Sequence, residues 1–185
     1  MGRKSTFEDV RVFAAVGAEL AATGRLTIEG LTRATGLSTG SVYHRFASRE
    51  ALLAETWLNA VRSFQTGFLD ALRRETPDTG EEAALATPRF CRAEPDAAVI
   101  LACCRRAEFL GPETPQPLRK QVAVLNDEAS AELRRFSRRI DRPLLACRLA
   151  LVAYPLAAVR LFLPQRPVPK SIDAELIKAC RAALA

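Results

Sequence analysis

Residues 26–46 of the chain read LTIEGLTRATGLSTGSVYHRF. Thr27 is of the residue type that caps helix N-termini, and the residues after it predict a short helix over 28–35. Gly36 stands where that helix must end, in the left-handed conformation that glycine adopts without strain. This stretch therefore predicts a short helix that ends in a tight turn.

A second short helix, over residues 39–45, is predicted directly after the turn. Ser38 is suited to cap it, and Phe46 closes it. Two short helices that cross over a glycine-containing turn are typical of a helix-turn-helix. The apolar residues expected to pack the two helices together are Leu31, Leu37 and Val42. The outer face then carries short polar side chains, which fit a DNA major groove about 12 Å wide.

The same segment resembles a known family signature. STGSVYHRF over residues 38–46, followed by SREALL over residues 48–53, is similar to the pattern of TetR-family regulators. That pattern is Ser-x-Gly-Ser/Thr-aliphatic-Tyr-x-x-Phe, followed by a helix that starts Ser/Asn-Lys-Glu-x-Leu. The resemblance covers about residues 7–55. It implies an all-α protein of about nine helices, with a three-helix DNA-binding head and a helical body for ligand binding and dimerisation.

The resemblance also implies roles for single residues. The residues implied to contact operator DNA are Lys4, Thr27, Ser38, Thr39, Gly40, Ser41, Tyr43, His44, Arg45, Ser48 and Arg49. Family members usually carry Ala at the position of Thr32 and Lys at that of Arg49. The second helix has no Lys, and its single Arg lies near its end. We therefore do not expect bidentate reading of guanine from its first turn.

Working outward, the helical spacing predicts a first helix over about residues 6–22 and a long fourth helix from Ser48 to about Glu75. The break TPDTG at residues 76–80 ends the long helix. We place the domain boundary inside it. The expected domains are a DNA-binding domain over residues 1–50 and a body over residues 51–185, with the shared helix as a lever between them.

The body is predicted to be helical throughout. The expected helices cover about residues 81–93, 95–110, 118–140 and 144–163, followed by a final helix that Ser171 caps. Segment 118–140 has the clearest apolar stripe of the chain. Segment 144–163 is nearly long enough to cross a bilayer, but it contains Arg148, Arg160 and Pro155. We read it as a buried helix, and we expect no membrane partner.

Composition supports a globular, helix-rich protein. The 185 residues are 49% hydrophobic and 26% charged, with a formal net charge of +6. Most of the positive surplus lies outside residues 1–60, for example in the arginines at 134, 135, 138 and 139. These arginines form either a solvated face or a site for an acidic partner. Net charge is thus compatible with a polyanion partner but does not locate its site.

Catalytic and metal sites are not indicated. His44 is the only histidine, and the five cysteines show no metal-ligand spacing. We therefore expect no enzyme activity, no cofactor and no metal. The odd number of cysteines and the lack of an apolar signal segment predict a cytoplasmic protein with free thiols. The adjacent Cys103 and Cys104 are either buried spectators or a redox sensor.

The resemblance implies a ligand-responsive repressor. It predicts a homodimer, paired through the last two helices, which are rich in Ala, Leu and Val. A small, mainly apolar effector would bind in the body and release a palindromic operator. Residues expected to line its pocket are Trp57, Phe64, Phe68, Phe90, Cys103 and Phe109. Two alternatives stay open: an interaction module that keeps the fold, and an activator.

Overall fold

The computed structural model describes the backbone of residues 2–185 and the side chains of residues 9–20 and 22–185. Every regular element in this part of the chain is helical, so the predicted all-α fold is confirmed. A π turn (Leu149–Ala153) joins the helices Leu144–Arg148 and Tyr154–Arg160. The helices are α1 (Gly2–Thr23), α2 (Ile28–Thr35), α3 (Thr39–Phe46), α4 (Arg49–Arg73), α5 (Thr79–Ala93), α6 (Pro95–Cys103), α7 (Arg106–Phe109), α8 (Gln116–Arg139), α9 (Leu144–Arg148), α10 (Tyr154–Arg160) and α11 (Ile172–Leu184).

The chain forms two compact units. The first unit holds the residues up to Ala60 together with Asp96–Gln121, and the second holds Val61–Pro95 and Val122–Ala185. Each unit has its own apolar core. The divisions fall inside α4, after the first residue of α6, and inside α8. The predicted DNA-binding domain over residues 1–50 is a shorter, functional division, and it stays a prediction.

The helix predicted over residues 95–110 is interrupted. α6 ends at Cys103, and α7 restarts at Arg106. Arg105 between them has an extended backbone, and its N–H donates to Glu108 Oε2 at 3.1 Å. This bond satisfies a donor that would otherwise be free at the new helix start, and it stabilises the break. Sequence periodicity alone did not predict it.

The segment predicted as one helix over residues 144–163 contains the π turn and ends its helical part at Arg160. Five of its six buried residues follow one another at every fourth position: Cys147, Leu151, Pro155, Val159 and Leu163. The sixth, Ala150, lies inside the π turn. An α-helix has 3.6 residues per turn, so a stripe at a spacing of four drifts around it. A wider π turn takes up part of this drift. It also accommodates Pro155, which lacks the N–H for an α-helical bond.

The predicted apolar stripe of α8 is confirmed, whereas the predicted capping of α11 by Ser171 is wrong. The apolar stripe of α8 faces inward, with Val122, Leu133 and Phe136 buried. Ser171, in contrast, does not cap α11, because its backbone is already helical and its side chain makes no capping bond. Arg92 of α5 instead holds α11 through two bonds of 2.9 and 3.0 Å to Asp173.

The apolar segment 144–163 is close to the length of a membrane-spanning helix. In the part of the chain that the structure describes, no helix is long and apolar enough to cross a bilayer.

Two helical glycines are expected to respond oppositely to alanine. A Cβ at Gly17 would lie 2.8 Å from the backbone oxygen of Asp96, whereas a Cβ at Gly67 has nothing within 4 Å. Gly17→Ala should therefore destabilise the protein by about 1–3 kcal/mol, because two backbones must move apart. Gly67→Ala should stabilise it by about 1 kcal/mol through helix propensity. Urea unfolding measures both, and a raised midpoint for Gly17→Ala would contradict the close approach.

Candidate nucleic-acid interface

The start of α2 is held by three residues. Thr27 Oγ1 accepts the Gly30 N–H at 3.0 Å, as an N-cap, and donates to Glu19 Oε1 of α1 at 3.1 Å. A Cβ at Gly30 would collide with the Glu19 carboxylate. Gly30 therefore lets a carboxylate reach the positive end of α2, where it is favoured electrostatically. Sequence analysis missed Glu19, because its partner lies eight residues further along the chain.

The turn between α2 and α3 has the predicted chemistry. Gly36 adopts φ 73°, and its N–H donates to Thr32 O at 2.8 Å. The left-handed conformation here is the reason for glycine. Leu31 and Val42 are buried on either side of the turn, while Leu37 is half-buried against the same core. These contacts set the crossing of the two helices.

α3 begins at Ser38 and has two distinct faces. Ser38 Oγ accepts the Ser41 N–H at 3.1 Å, which confirms it as the N-cap. Val42 and Phe46 point into the core, with 1% and 2% of their surface exposed. The opposite face is open to solvent. Its exposed residues are Thr39, Gly40, Ser41, Tyr43 and His44.

Arg45 lies between these faces and is engaged within the protein. Its Nε donates to Asp9 of α1, and both side chains are about three-quarters buried. This ion pair ties the end of α3 to α1. Asp9 was not among the predicted site residues, because 36 positions separate it from Arg45. A DNA contact of Arg45 stays a prediction.

The chain turns sharply after α3. Ala47 has φ 60° and ψ −40°, and the Ser48 N–H donates to Phe46 O at 2.6 Å. This is a strained turn for a residue other than glycine, and such turns are found where the surrounding structure requires them. Ser48 Oγ then accepts the Ala51 N–H at 3.0 Å and caps α4. Arg49 is exposed at the same end and donates to Leu26 O at 3.4 Å.

The remaining predicted DNA contact, Lys4, has its side chain outside the described residues. Thr27, Ser48 and Arg49 all lie at the N-termini of α2 and α4. Such ends carry partial positive charge and unpaired N–H groups, so they suit phosphate. The exposed face of α3 and these two helix ends all belong to the first unit.

The structure separates the predicted pocket residues into two groups. Trp57 packs on Phe109 in the first unit, with ring centres 5.3 Å apart. Phe64 packs on Phe68 and Phe90 in the second unit, at 5.6 and 5.5 Å. These contacts are those of apolar cores. A ligand-binding role for the five rings stays a prediction.

A cavity lies elsewhere in the second unit. Its volume is about 700 Å³. None of the six residues predicted for the pocket lines it. The residues that form it include Glu75, Gly80, Glu81, Phe136, Arg139, Ile140, Arg181 and Leu184.

The cysteine thiols differ in burial. Burial raises the pKa of the Cys104 thiol to about 11, and burial raises the pKa of Cys180 to about 11 as well. Both groups stay protonated at neutral pH, which makes them poor nucleophiles. Cys103 is exposed. Among the described side chains, no group of three His, Cys, Asp or Glu residues is arranged to hold a metal ion.

Comparison with known proteins gives one family match and several similar structures. Residues 10–56 match the family model "Bacterial regulatory proteins, tetR family". None of the curated proteins matches the chain in sequence. Three solved structures share its fold at low sequence identity.

The first of these is the TetR-family transcriptional regulator PfmR from Thermus thermophilus, with 23% identity, a TM-score of 0.75, and coverage of 94% of this chain and 97% of that one. The second is a putative tetR-family regulator from Shewanella sp. PV-4, with 17% identity, a TM-score of 0.67, and coverage of 96% and 95%. The third is a TetR-family regulator from Marinobacter aquaeolei VT8, with 16% identity, a TM-score of 0.67, and coverage of 100% and 97%.

The hydroxyl of Thr27 is expected to stabilise the interface. Thr27→Val keeps the shape of the side chain but removes the bonds to Gly30 and Glu19, so it should destabilise the protein by about 1–2 kcal/mol. Thr27→Ser keeps the hydroxyl and should stay close to the unaltered protein. Urea unfolding without DNA separates this effect from DNA contact. Equal stability of the valine and serine variants would show that the cap contributes nothing.

Proposed function

We propose that this chain, a TetR-family transcription regulator with the family's DNA-binding domain at residues 10–56, is a cytoplasmic, homodimeric repressor. It binds a palindromic operator and is released by a small, mainly apolar effector. One observation carries the proposal: α3 is capped and packed on one side, while its other side is polar and exposed. This is the arrangement that a recognition helix needs to enter a major groove.

The DNA contacts follow from the exposed face. Thr39, Gly40 and Ser41, in the first turn of α3, lie nearest the base edges. Tyr43 and His44 contact phosphates or bases one turn later. The N-termini of α2 and α4 hold the phosphate backbone on either side of the groove. Because α3 carries no Lys and its Arg45 is paired with Asp9, the reading of bases relies on small contacts and thymine methyl groups.

Dimerisation uses the last two helical segments of the chain. Large apolar side chains stand exposed along residues 144–163: Leu145 is 67% exposed, Val152 39% and Leu161 72%. An apolar stripe of this kind is favourable only when another surface covers it. Two copies related by a twofold axis place their recognition helices about 34–36 Å apart, which is one turn of DNA.

The effector acts on α4. This helix starts at the DNA-binding domain and continues into residues of the second unit. A ligand that binds one arrangement of α4 more tightly than the other shifts the population between them. The dimer then loses its register with the operator.

DNA binding by the exposed face of α3 is directly testable. A Tyr43→Ala/His44→Ala variant should lose roughly a hundredfold in affinity for DNA from the region upstream of its own gene, because two contacts of about 1–3 kcal/mol each disappear. The unaltered protein should bind saturably, with an affinity that falls as salt rises. Gel shift or fluorescence anisotropy at several salt concentrations provides the measurement.

The matched control is Arg134→Ala/Arg138→Ala, which removes two exposed cations of α8. Its specific affinity should change by no more than about twofold, since these residues lie in the second unit, far along the chain from α3. Equal binding by the unaltered protein and the Tyr43/His44 variant would contradict the assignment of α3.

The proposed dimer interface gives a second prediction. Leu145→Asp/Val152→Asp places charges where apolar surface must be buried, so the dimer dissociation constant should rise by at least about a hundredfold. Val124→Asp on α8 is the control, because Val124 is 65% exposed but lies outside the last two segments. Sedimentation equilibrium measures both. A monomeric Val124 variant, or an unchanged dimer in the double variant, would place the interface elsewhere.

A further inference from the structure

The cavity of the second unit has the size and the lining of a ligand site. Its volume of about 700 Å³ is within the range of about 300–1,000 Å³ that is usual for small-molecule sites. Phe136, Ile140 and Leu184 give it apolar walls. We infer that it binds a mainly apolar molecule that carries one carboxylate group. The inference rests on the proposed function, because this molecule would be the effector.

Gly80 packs closely against the apolar wall of the cavity. A Cβ at this position would lie 3.2 Å from Leu184 Cδ1 and 3.6 Å from Phe136 Cζ. Any side chain at position 80 therefore points toward the residues that form the apolar wall. A large residue here would push against Leu184 and Phe136 and so deform the apolar wall of the cavity.

Arg139 provides the charge that a carboxylate requires. Its guanidinium lies 5.4 Å from the centre of the Phe136 ring, so a cation adjoins the apolar wall directly. Its two hydrogen bonds, to Leu72 O at 2.7 Å and Arg74 O at 3.2 Å, are both made by Nη2. Within the described residues it has no carboxylate partner. The N–H groups of Nε and Nη1 are therefore left to bind an anion, as guanidinium groups commonly do.

The other charged side chains that line the cavity are Glu75, Glu81 and Arg181. Ala185 also lines it, and Arg142 donates to the Ala185 backbone oxygen. Arg181 donates to Glu81 through two bonds of 2.7 and 3.1 Å, so this pair neutralises itself. Glu75 also lines the cavity and is exposed. Its negative charge opposes an anionic ligand but is screened by water. The position of Arg139 beside the apolar wall thus favours a molecule with an apolar body and a carboxylate at one end.

The experiment compares decanoate with decan-1-ol, which share a chain but differ in charge. Isothermal titration of the full chain without DNA should show decanoate binding roughly tenfold more tightly, the effect of a charge-assisted hydrogen bond. Arg139→Met should remove this preference and leave decan-1-ol affinity unchanged, which also shows that the variant is folded. Arg134→Met, on the same helix but outside the cavity, should keep it. Glu75→Gln should raise decanoate affinity.

A second variant tests whether both ligands bind against the apolar wall of the cavity. Gly80→Leu should weaken both ligands at least about tenfold, whereas Gly67→Leu, a helical glycine with open space around it, should not. Equal affinity for decanoate and decan-1-ol, or unchanged binding by Gly80→Leu, would overturn the inference. Operator binding is measured separately: decanoate that binds in the cavity without releasing DNA supports the site and contradicts only the effector part of the proposed function.

Discussion

The packing of Leu31 and Val42 across the turn at Gly36 is the constraint on which the exposed polar face of α3 depends. Once these side chains are buried, the rotation of α3 about its axis is set, and the polar residues of its other side must face solvent. The caps at Ser38 and Ser48 then determine where α3 begins and where α4 starts. Helices of eight residues are unstable alone, so this small core and its caps hold the polar face of α3 in place.

Two acidic residues of α1 support this face through polar contacts. Glu19 and Asp9 both lie on α1, and each engages a residue of the helix-turn-helix: Thr27 in one case and Arg45 in the other. Acidic groups are unexpected next to a surface proposed for a polyanion. Here they act as positioning residues, since each holds one helix of the motif against α1. The positive surplus of the chain lies mostly elsewhere, so in the proposed function recognition by α3 depends on shape and small contacts more than on net charge.

Among the described residues, the second unit differs from the first in that its packing includes a π turn. Five buried residues at every fourth position of segment 144–163 occur together with a π turn, and Leu145 and Val152 of the same segment face outward. Burial inside the unit and exposure outside it are therefore found along one helical segment. The cavity near Arg139 also depends on tertiary structure, because it joins residues from α5, α8 and α11.

Sequence alone determined the all-α class, the turn at Gly36, the cap at Ser38 and the exposed and buried faces of α3. These features depend on residue type and on spacings of a few positions, so local physical rules suffice. Tertiary structure alone decided the pairing of Asp9 with Arg45, the role of Gly30 beside Glu19, the break at Arg105 and the cavity. Each of these joins groups far apart in the chain, or depends on how neighbouring elements pack, and periodicity carries no information about such contacts.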